Sequence, residues 1–381
     1  MRGASQTTSR KTPYDQGLMA IVLALLGFGL IMVFSASAVV SGELYDSQTR
    51  IFVRQLVFVI VGLGALMLTM KLNYSLYRLR ILSYGLLFLS FTLLIYLLAI
   101  DPEGVRRWIH LGWVNFQPSE LAKLAIIIFT ARHLVTHGKR FNDFKTSIFP
   151  YTAVVAPMVF LILIEPDLGT ALAISTTAGL LLFLGGLKYH YLLGMAGIAI
   201  PTLYLLVVRV PYRLNRILAF VDPDRDPYGI GYQIRQSLIA VGAGGWKGAG
   251  YAQSKQKLFF LPEPHTDFIY AVVGEELGLL GCMTLLVLFS LFFWRGVRIA
   301  LRADSLFGTY LGLGIVTMIV LQAFINMSVT VSLLPTKGLP LPFVSVGGSS
   351  MVMTLLAVGI LLNISRVSTH PMAEKSSRNS L

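Results

Sequence analysis

Charged side chains are scarce. Asp, Glu, Lys and Arg make up 13% of the 381 residues and hydrophobic residues 55%, where soluble domains run at about 25% charged and 45–50% apolar. The shortage excludes an ordinary water-soluble fold. Cysteine is rarer still: Cys282 stands alone, which excludes an intramolecular disulfide and leaves any outer segment to be held by packing. Lying in an apolar run, it reads as a core filler. Carboxylates are in deficit, 18 against 31 Lys and Arg, for a net charge of +13. In a soluble chain that excess would point to nucleic acid. Here the cations sit between apolar blocks, so they mark topology and no nucleic-acid partner is expected. There is no convincing internal repeat, and the spacing of Gly242 to Gly250 fits no nucleotide motif.

What the chain has in abundance is apolar blocks of about 20 residues, the length that crosses a hydrocarbon core of about 30 Å. Strands of a membrane barrel would be half as long and would alternate. The blocks predict helices near 18–40, 51–70, 81–100, 118–135, 149–164, 168–187, 191–208, 268–294, 307–331 and 344–364. With the N-terminus inside, Lys71, Arg78, Arg80, Arg132, Lys145, Lys188, Arg295, Arg298 and Arg302 fall on the cytoplasmic side, which obeys the positive-inside rule. The expected fold is an all-α integral membrane protein of about ten transmembrane helices. Both termini are cytoplasmic, and one long extracytoplasmic loop joins helices seven and eight. The transmembrane domain is 17–366, with the outer loop at 209–268 and polar tails at 1–16 and 367–381. The first helix exceeds a 7–15-residue signal core and is expected to be retained.

A charge at the centre of a spanning helix costs about 2.5–3.5 kcal/mol, so each one is a functional suspect. Glu120 and Lys123 stand i, i+3 just after Pro118 and can pair on one face. Glu165, Pro166 and Asp167 form an outer turn in which Asp167 suits the start of a helix. Arg106, Arg107 and Trp108 read as an interfacial anchor or as a hold for phosphate and sugar. Pro262 and Pro264 forbid helix before about His265, which leaves Asp267 in the first turn of the eighth helix, as a cap or a functional acid. Glu275 follows about 12 Å deeper on a straight helix and, at about 80° round the axis, can line one cavity wall with Asp267. The run Gly242 to Gly250 reads as a flexible connection or a phosphate cradle. Gly347, Gly348 and Ser349 at the head of the tenth helix suit either an anion or tight packing. Apart from Glu275 these groups gather at the outer end, so the chain is expected to handle a charged headgroup there.

The same segments resemble a known family. Arg106-Arg107-Trp108-Ile109, Gln117-Pro118-Ser119-Glu120, Pro166-Asp167-Leu168-Gly169-Thr170, Leu261-Pro262-Glu263, His265-Thr266-Asp267-Phe268, Gly274-Glu275-Glu276-Leu277-Gly278 and Leu339-Pro340-Leu341-Pro342-Phe343 with Gly347-Gly348-Ser349-Ser350 are similar to stretches of the shape, elongation, division and sporulation (SEDS) proteins of bacteria. Pro335-Thr336-Lys337-Gly338 and Gln256-Lys257-Leu258 resemble the cell-division branch more than the elongation branch. Val346 departs from the family, which usually has an aromatic residue there.

The resemblance implies a peptidoglycan glycosyltransferase that polymerises lipid II at the outer face of the bacterial cytoplasmic membrane, at the division septum. It implies Asp267 as the catalytic acid that takes the acceptor proton. Arg106, Arg107, Lys123 and Lys337, helped by Arg213 and Arg216, would meet the leaving pyrophosphate. Trp108 would position sugar or lipid, Glu120 and Glu275 would orient Lys123, and Gly347, Gly348 and Ser349 would complete the substrate site. A divalent cation, Mg2+ or Mn2+, is expected, with ligands the sequence does not name. Lipid II, the growing glycan strand, membrane lipid, a class B penicillin-binding transpeptidase and other divisome membrane proteins are the expected partners. The rival reading is a lipid II flippase, which the buried acids favour and the apolar inner half disfavours.

Overall fold

Every expected apolar run forms a helix. The computed structural model describes residues 14–100, 107–112, 114–138, 141–226 and 228–367. Most of both tails and Arg106 lie outside the described residues. The helices are α1 (Gln16–Tyr45), α2 (Arg50–Lys71), α3 (Arg80–Ile100), α4 (Pro118–His137), α5 (Phe149–Ile164), α6 (Leu168–Leu184), α7 (Tyr189–Val208), α8 (Pro211–Val221), α9 (Ile230–Gly244), α10 (Ile269–Leu301), α11 (Leu306–Thr330) and α12 (Gly348–Val367). Among the described residues, eight helical segments are long and apolar enough to cross a membrane. Of the ten expected spans, α6 is short at 17 residues and α4 carries Glu120, Lys123 and Arg132. Because α4 is the axis of the bundle, with nearly every side chain from Pro118 to Leu134 buried, its charges face protein and not lipid. At the other extreme α7 buries Val207 alone among its residues.

Helix ends follow local chemistry. Asp167 caps α6 by accepting from the Thr170 amide at 3.0 Å, and Ser305 caps α11 through the Gly308 amide at 3.1 Å. The Asp15 amide donates to Ser365 Oγ at 3.0 Å and Arg295 Nε to Asp15 Oδ1 at 2.9 Å. The start of α1, the end of α12 and the basic end of α10 therefore share one end of the bundle, as an even number of spans requires.

Three features depart from the sequence expectation. Two short strands, β1 (Ile109–Leu111) and β2 (Val114–Phe116), pair antiparallel. The outer loop contains α8, which was not foreseen, as well as α9. Most consequentially, α10 is broken at Gly278, where φ is +64°. The Tyr270 hydroxyl reaches the Cys282 carbonyl at 3.5 Å, a pair that a straight helix would hold about 18 Å apart. The break lies beyond Glu275, so the stretch from Ile269 to Glu275 is helical as expected, but the Glu275 carboxylate is turned to Ser254 and the Lys255 amide, and the facing inferred for it is corrected.

The glycine run stabilises this break. Ala249 and Gly250 amides donate to the Glu275 and Glu276 carbonyls at 2.9 and 3.0 Å, while the Leu279 and Leu280 amides donate to the carbonyls of Gly245 and Trp246 at 2.9 and 3.3 Å. Both orphaned helix ends are satisfied by one segment. Gly248, with φ at +81°, lies so close to Glu276 that a Cβ would strike its carbonyl. Residues 242–250 are thus a close-packed splint, neither a flexible tether nor a phosphate cradle.

Candidate active site

The prolines at 262 and 264 keep the chain out of helix, in bends and turns, up to α10, and the segment they lead into is tied down at three successive carbonyls. The Val346 amide donates to His265 O at 3.0 Å, Ser345 Oγ to Thr266 O at 2.6 Å and Asn326 Nδ2 to Asp267 O at 2.8 Å. The departure at Val346 is harmless to this contact, which uses only its main chain. Asp267 is thereby brought against Gly338: a Cβ there would lie 3.2 Å from Asp267 Oδ2 and 3.6 Å from Arg107 Nη1. Burial, with Glu263 and Asp167 adding repulsion, raises the Asp267 carboxyl to about 6 against the pull of Arg216 and Arg107.

Beside it opens a cleft of mixed lining. Arg107, Arg213, Arg216 and Lys337 contribute cations to it, with Asp167, and Leu168, Leu172, Leu203, Val207 and Ile217 contribute apolar surface. The cations are preorganised by main-chain carbonyls. Arg107 donates to Pro166 O at 2.5 Å and to Glu165 O at 3.3 Å. Arg213 donates to Leu163 O at 2.6 Å, and Arg216 to Thr336 O at 3.4 Å. Glu165 does not cancel them: burial and the neighbouring Asp167 push its carboxyl up to about 8 despite Arg107, so it is mostly neutral at pH 7. Asp167 is occupied by the Thr170 amide and by Gln117 Nε2 at 3.1 Å. Burial lowers Lys337 below its ordinary value. Such a cleft can hold an anionic group against its cations and a hydrocarbon chain against its apolar side chains, with a proton acceptor at the rim.

Arg107, Lys337, Arg213, Arg216 and Asp267 therefore come together. Other expected site residues do not. Trp108 is half-buried next to Arg107 but does not line the cleft. Lys123 pairs with Glu120 at 2.9 Å and donates to Gln322 Oε1 at 2.9 Å, in a separate cavity bordered by Leu124, Ile127, Met318 and Met353. Its charge is neutralised inside the bundle and is not presented to the cleft. Glu275 does not orient Lys123. Its carboxylate accepts from Ser254 Oγ and from the Lys255 amide at 2.8 Å, which makes it an anchor of the loop. Gly347, Gly348 and Ser349 serve packing: the Gly347 amide donates to Gln55 Oε1 at 3.2 Å, Gly348 faces the Phe58 ring, and Ser349 Oγ accepts from the Gln117 amide at 3.1 Å.

Asn326 escaped the sequence reading, and Gln117 and Ser345 were given no role of their own in it. For Asn326 a signal existed, since Gln322 and Asn326 are two amides at i, i+4 in an otherwise apolar helix. For the divalent cation the residues do not make a resident cage: among the described residues no three His, Cys, Asp or Glu side chains converge.

Residues 16–370 match the family model of the cell cycle proteins FtsW, RodA and SpoVE. The chain is 44% identical over 358 residues to a probable peptidoglycan glycosyltransferase FtsW of Geobacter metallireducens, covering 92% of this chain and 94% of that one. It is 41% identical over 365 residues to stage V sporulation protein E of Bacillus subtilis, covering 95% and 100%. Among solved structures it is similar to a chain of a peptidoglycan synthase complex described as coordinating polymerization and crosslinking, with a TM-score of 0.75 at 29% identity over 94% of this chain and 99% of that one. It is also similar to the rod shape determining protein RodA of Thermus thermophilus, with a TM-score of 0.68 at 28% identity over 94% and 98%.

Proposed function

The chain belongs to the FtsW, RodA and SpoVE family of cell cycle proteins, and from that membership we propose that it is a peptidoglycan glycosyltransferase of cell division, joining lipid II into glycan strands at the outer leaflet. The observation that carries the chemistry is Asp267 against Gly338, at the rim of a cleft lined by both cations and apolar side chains. The acceptor sugar hydroxyl attacks C1 of the donor sugar and gives its proton to the Asp267 carboxylate. The new C–O bond forms as the bond from C1 to the pyrophosphate breaks. Arg107, Arg213, Arg216 and Lys337 meet the charge that gathers on the departing undecaprenyl pyrophosphate, and the apolar side chains take its isoprenoid chain. Pyrophosphate leaves without a general acid, which removes the need for a second carboxyl of the glycosidase kind. A divalent cation, Mg2+ or Mn2+, would enter on the diphosphate itself and not through a protein cage.

The similarity to a synthase complex supports a class B penicillin-binding transpeptidase as partner, and the relatives named for division support a septal location among other divisome membrane proteins. A flippase is disfavoured because the site cations gather at one end of the bundle. The deciding experiment supplies lipid II to the purified protein in detergent, with and without the transpeptidase. Glycan polymer is the expected product. Lipid II scrambled across vesicles, with no polymer in either assay, would overturn the polymerase reading.

The alkaline side of the activity profile belongs to Lys337. Its charge is lost below the ordinary lysine range because burial disfavours the ammonium form. A guanidinium stays charged throughout, so Lys337→Arg is expected to move the alkaline limb of kcat upward. An unmoved limb would assign it to another group.

A further inference from the structure

Asn326 lies on α11 with 1% of its surface exposed, a primary amide one turn on from Gln322 in a largely apolar helix. Its Nδ2 donates both hydrogens to main-chain carbonyls, to Asp267 O at 2.8 Å and to Leu339 O at 2.8 Å. The orientation is forced, because the reversed amide would set Oδ1 against two carbonyls. Oδ1 is left buried without a hydrogen-bond partner. A residue kept only for packing would not carry that cost, since leucine has similar volume and no polar atom.

The two carbonyls belong to different segments. One bears Asp267; the other is the connection that carries Lys337 and Gly338. Asn326 thus bridges the proton acceptor and the cation site from a third element, and the gap it governs is narrow, with the virtual Gly338 Cβ at 3.2 Å from Asp267 Oδ2. Reactions of this kind are sensitive to such spacing: a misplacement of about 1 Å can cost about 10²-fold.

We propose that Asn326 is a positioning residue for glycan polymerisation, fixing the Asp267 carboxylate in register with the Lys337 and Gly338 segment so that proton transfer and leaving-group stabilisation act on one donor. This rests on the reading of Asp267 as the proton acceptor. It adds that the acceptor's placement is set from α11 and not by its own loop.

Asn326→Leu keeps the volume and removes both donors. With lipid II in detergent, kcat should fall about 10²-fold while KM for lipid II stays within about twofold, because Arg107 and Arg213 are held by carbonyls outside the Lys337 segment. The acid limb of kcat should also move below its native position, since a loosened Asp267 gains access to water and loses the burial that raises it. A purely structural role would lower the amount of folded enzyme and leave that limb unmoved. Should Asn326→Leu fail to accumulate in the membrane, Asn326→Ser, smaller and with one hydrogen to give, is measured the same way and should show a smaller loss with the same shift. Native kcat, or a loss with an unmoved limb, overturns the inference. Asp267→Asn run alongside separates the two levels. If it is inactive while Asn326→Leu is native-like, only the role of Asn326 falls; if it is active, the reading beneath it falls.

Discussion

Asp267→Asn will lower the rate of glycan polymerisation from lipid II by about 10²–10⁴-fold, the range that a positioned general base contributes, while lipid II binding changes little. Asparagine has the same shape and can still accept a hydrogen bond, but it cannot take a proton as the acceptor oxygen attacks. The binding cations are separate residues: Arg107, Arg213, Arg216 and Lys337 line the cleft, and three of them are set by main-chain carbonyls of other segments. The loss should therefore appear in kcat and not in KM. The native pH profile carries the same signature. Asp267 has its carboxyl raised to about 6, chiefly by burial, so activity is fully expressed above that pH and falls as the carboxylate is protonated below it. An ordinary solvated aspartate would hold activity down to about pH 4. Polymerisation that persists in Asp267→Asn, or an acid limb near 4, would remove Asp267 from the chemistry.

How far this site was legible in the sequence depended on which inferences assumed straight geometry. The place of the outer cluster could be read because topology follows from the apolar blocks and the positive-inside rule, but the roles of Arg107, Asp267 and Lys337 came from the resemblance: by itself Asp267 read as a cap or a functional acid. Arg213 and Arg216 could be named only as helpers, because the apolar pattern of Leu214, Ile217 and Leu218 in α8 went unused. Glu275 failed for a different reason. Its facing followed from helix periodicity, which cannot show that Ser254 and the Lys255 amide meet its carboxylate from the outer loop; the break at Gly278 was hidden too, since it looks like any glycine in an apolar run. The break is stabilised by residues 245–250, more than 25 positions upstream, which meet it only in three dimensions. For Gly347 and Ser349, phosphate binding and packing were equally open, and their partners Gln55 and Gln117 lie on distant segments.

Glu276→Ala should destabilise the protein by about 3–5 kcal/mol, the cost of leaving a buried charge without its counterion. Lys257 Nζ lies 2.7 Å from Glu276 Oε1 with both side chains buried, and the carboxylate also accepts from Ser35 Oγ at 2.7 Å and the Ala252 amide at 3.1 Å. These bonds pin residues 252–257 against α1 and the break in α10, beside Glu275, which holds the Lys255 amide. The segment continues directly into Leu261 and the prolines before Asp267, so its release should also reduce polymerisation. The expected observations are a lower thermal midpoint in detergent and faster proteolysis between residues 250 and 260. Charge, and not contact alone, sets the size of the effect. Replacing both partners by apolar residues, as in Glu276→Leu with Lys257→Met, removes the unpaired ammonium and should recover much of the lost stability. If the double variant is as unstable as Glu276→Ala, loop anchoring by hydrogen bonds dominates; if Glu276→Ala melts like the native protein, the pair contributes nothing to the fold.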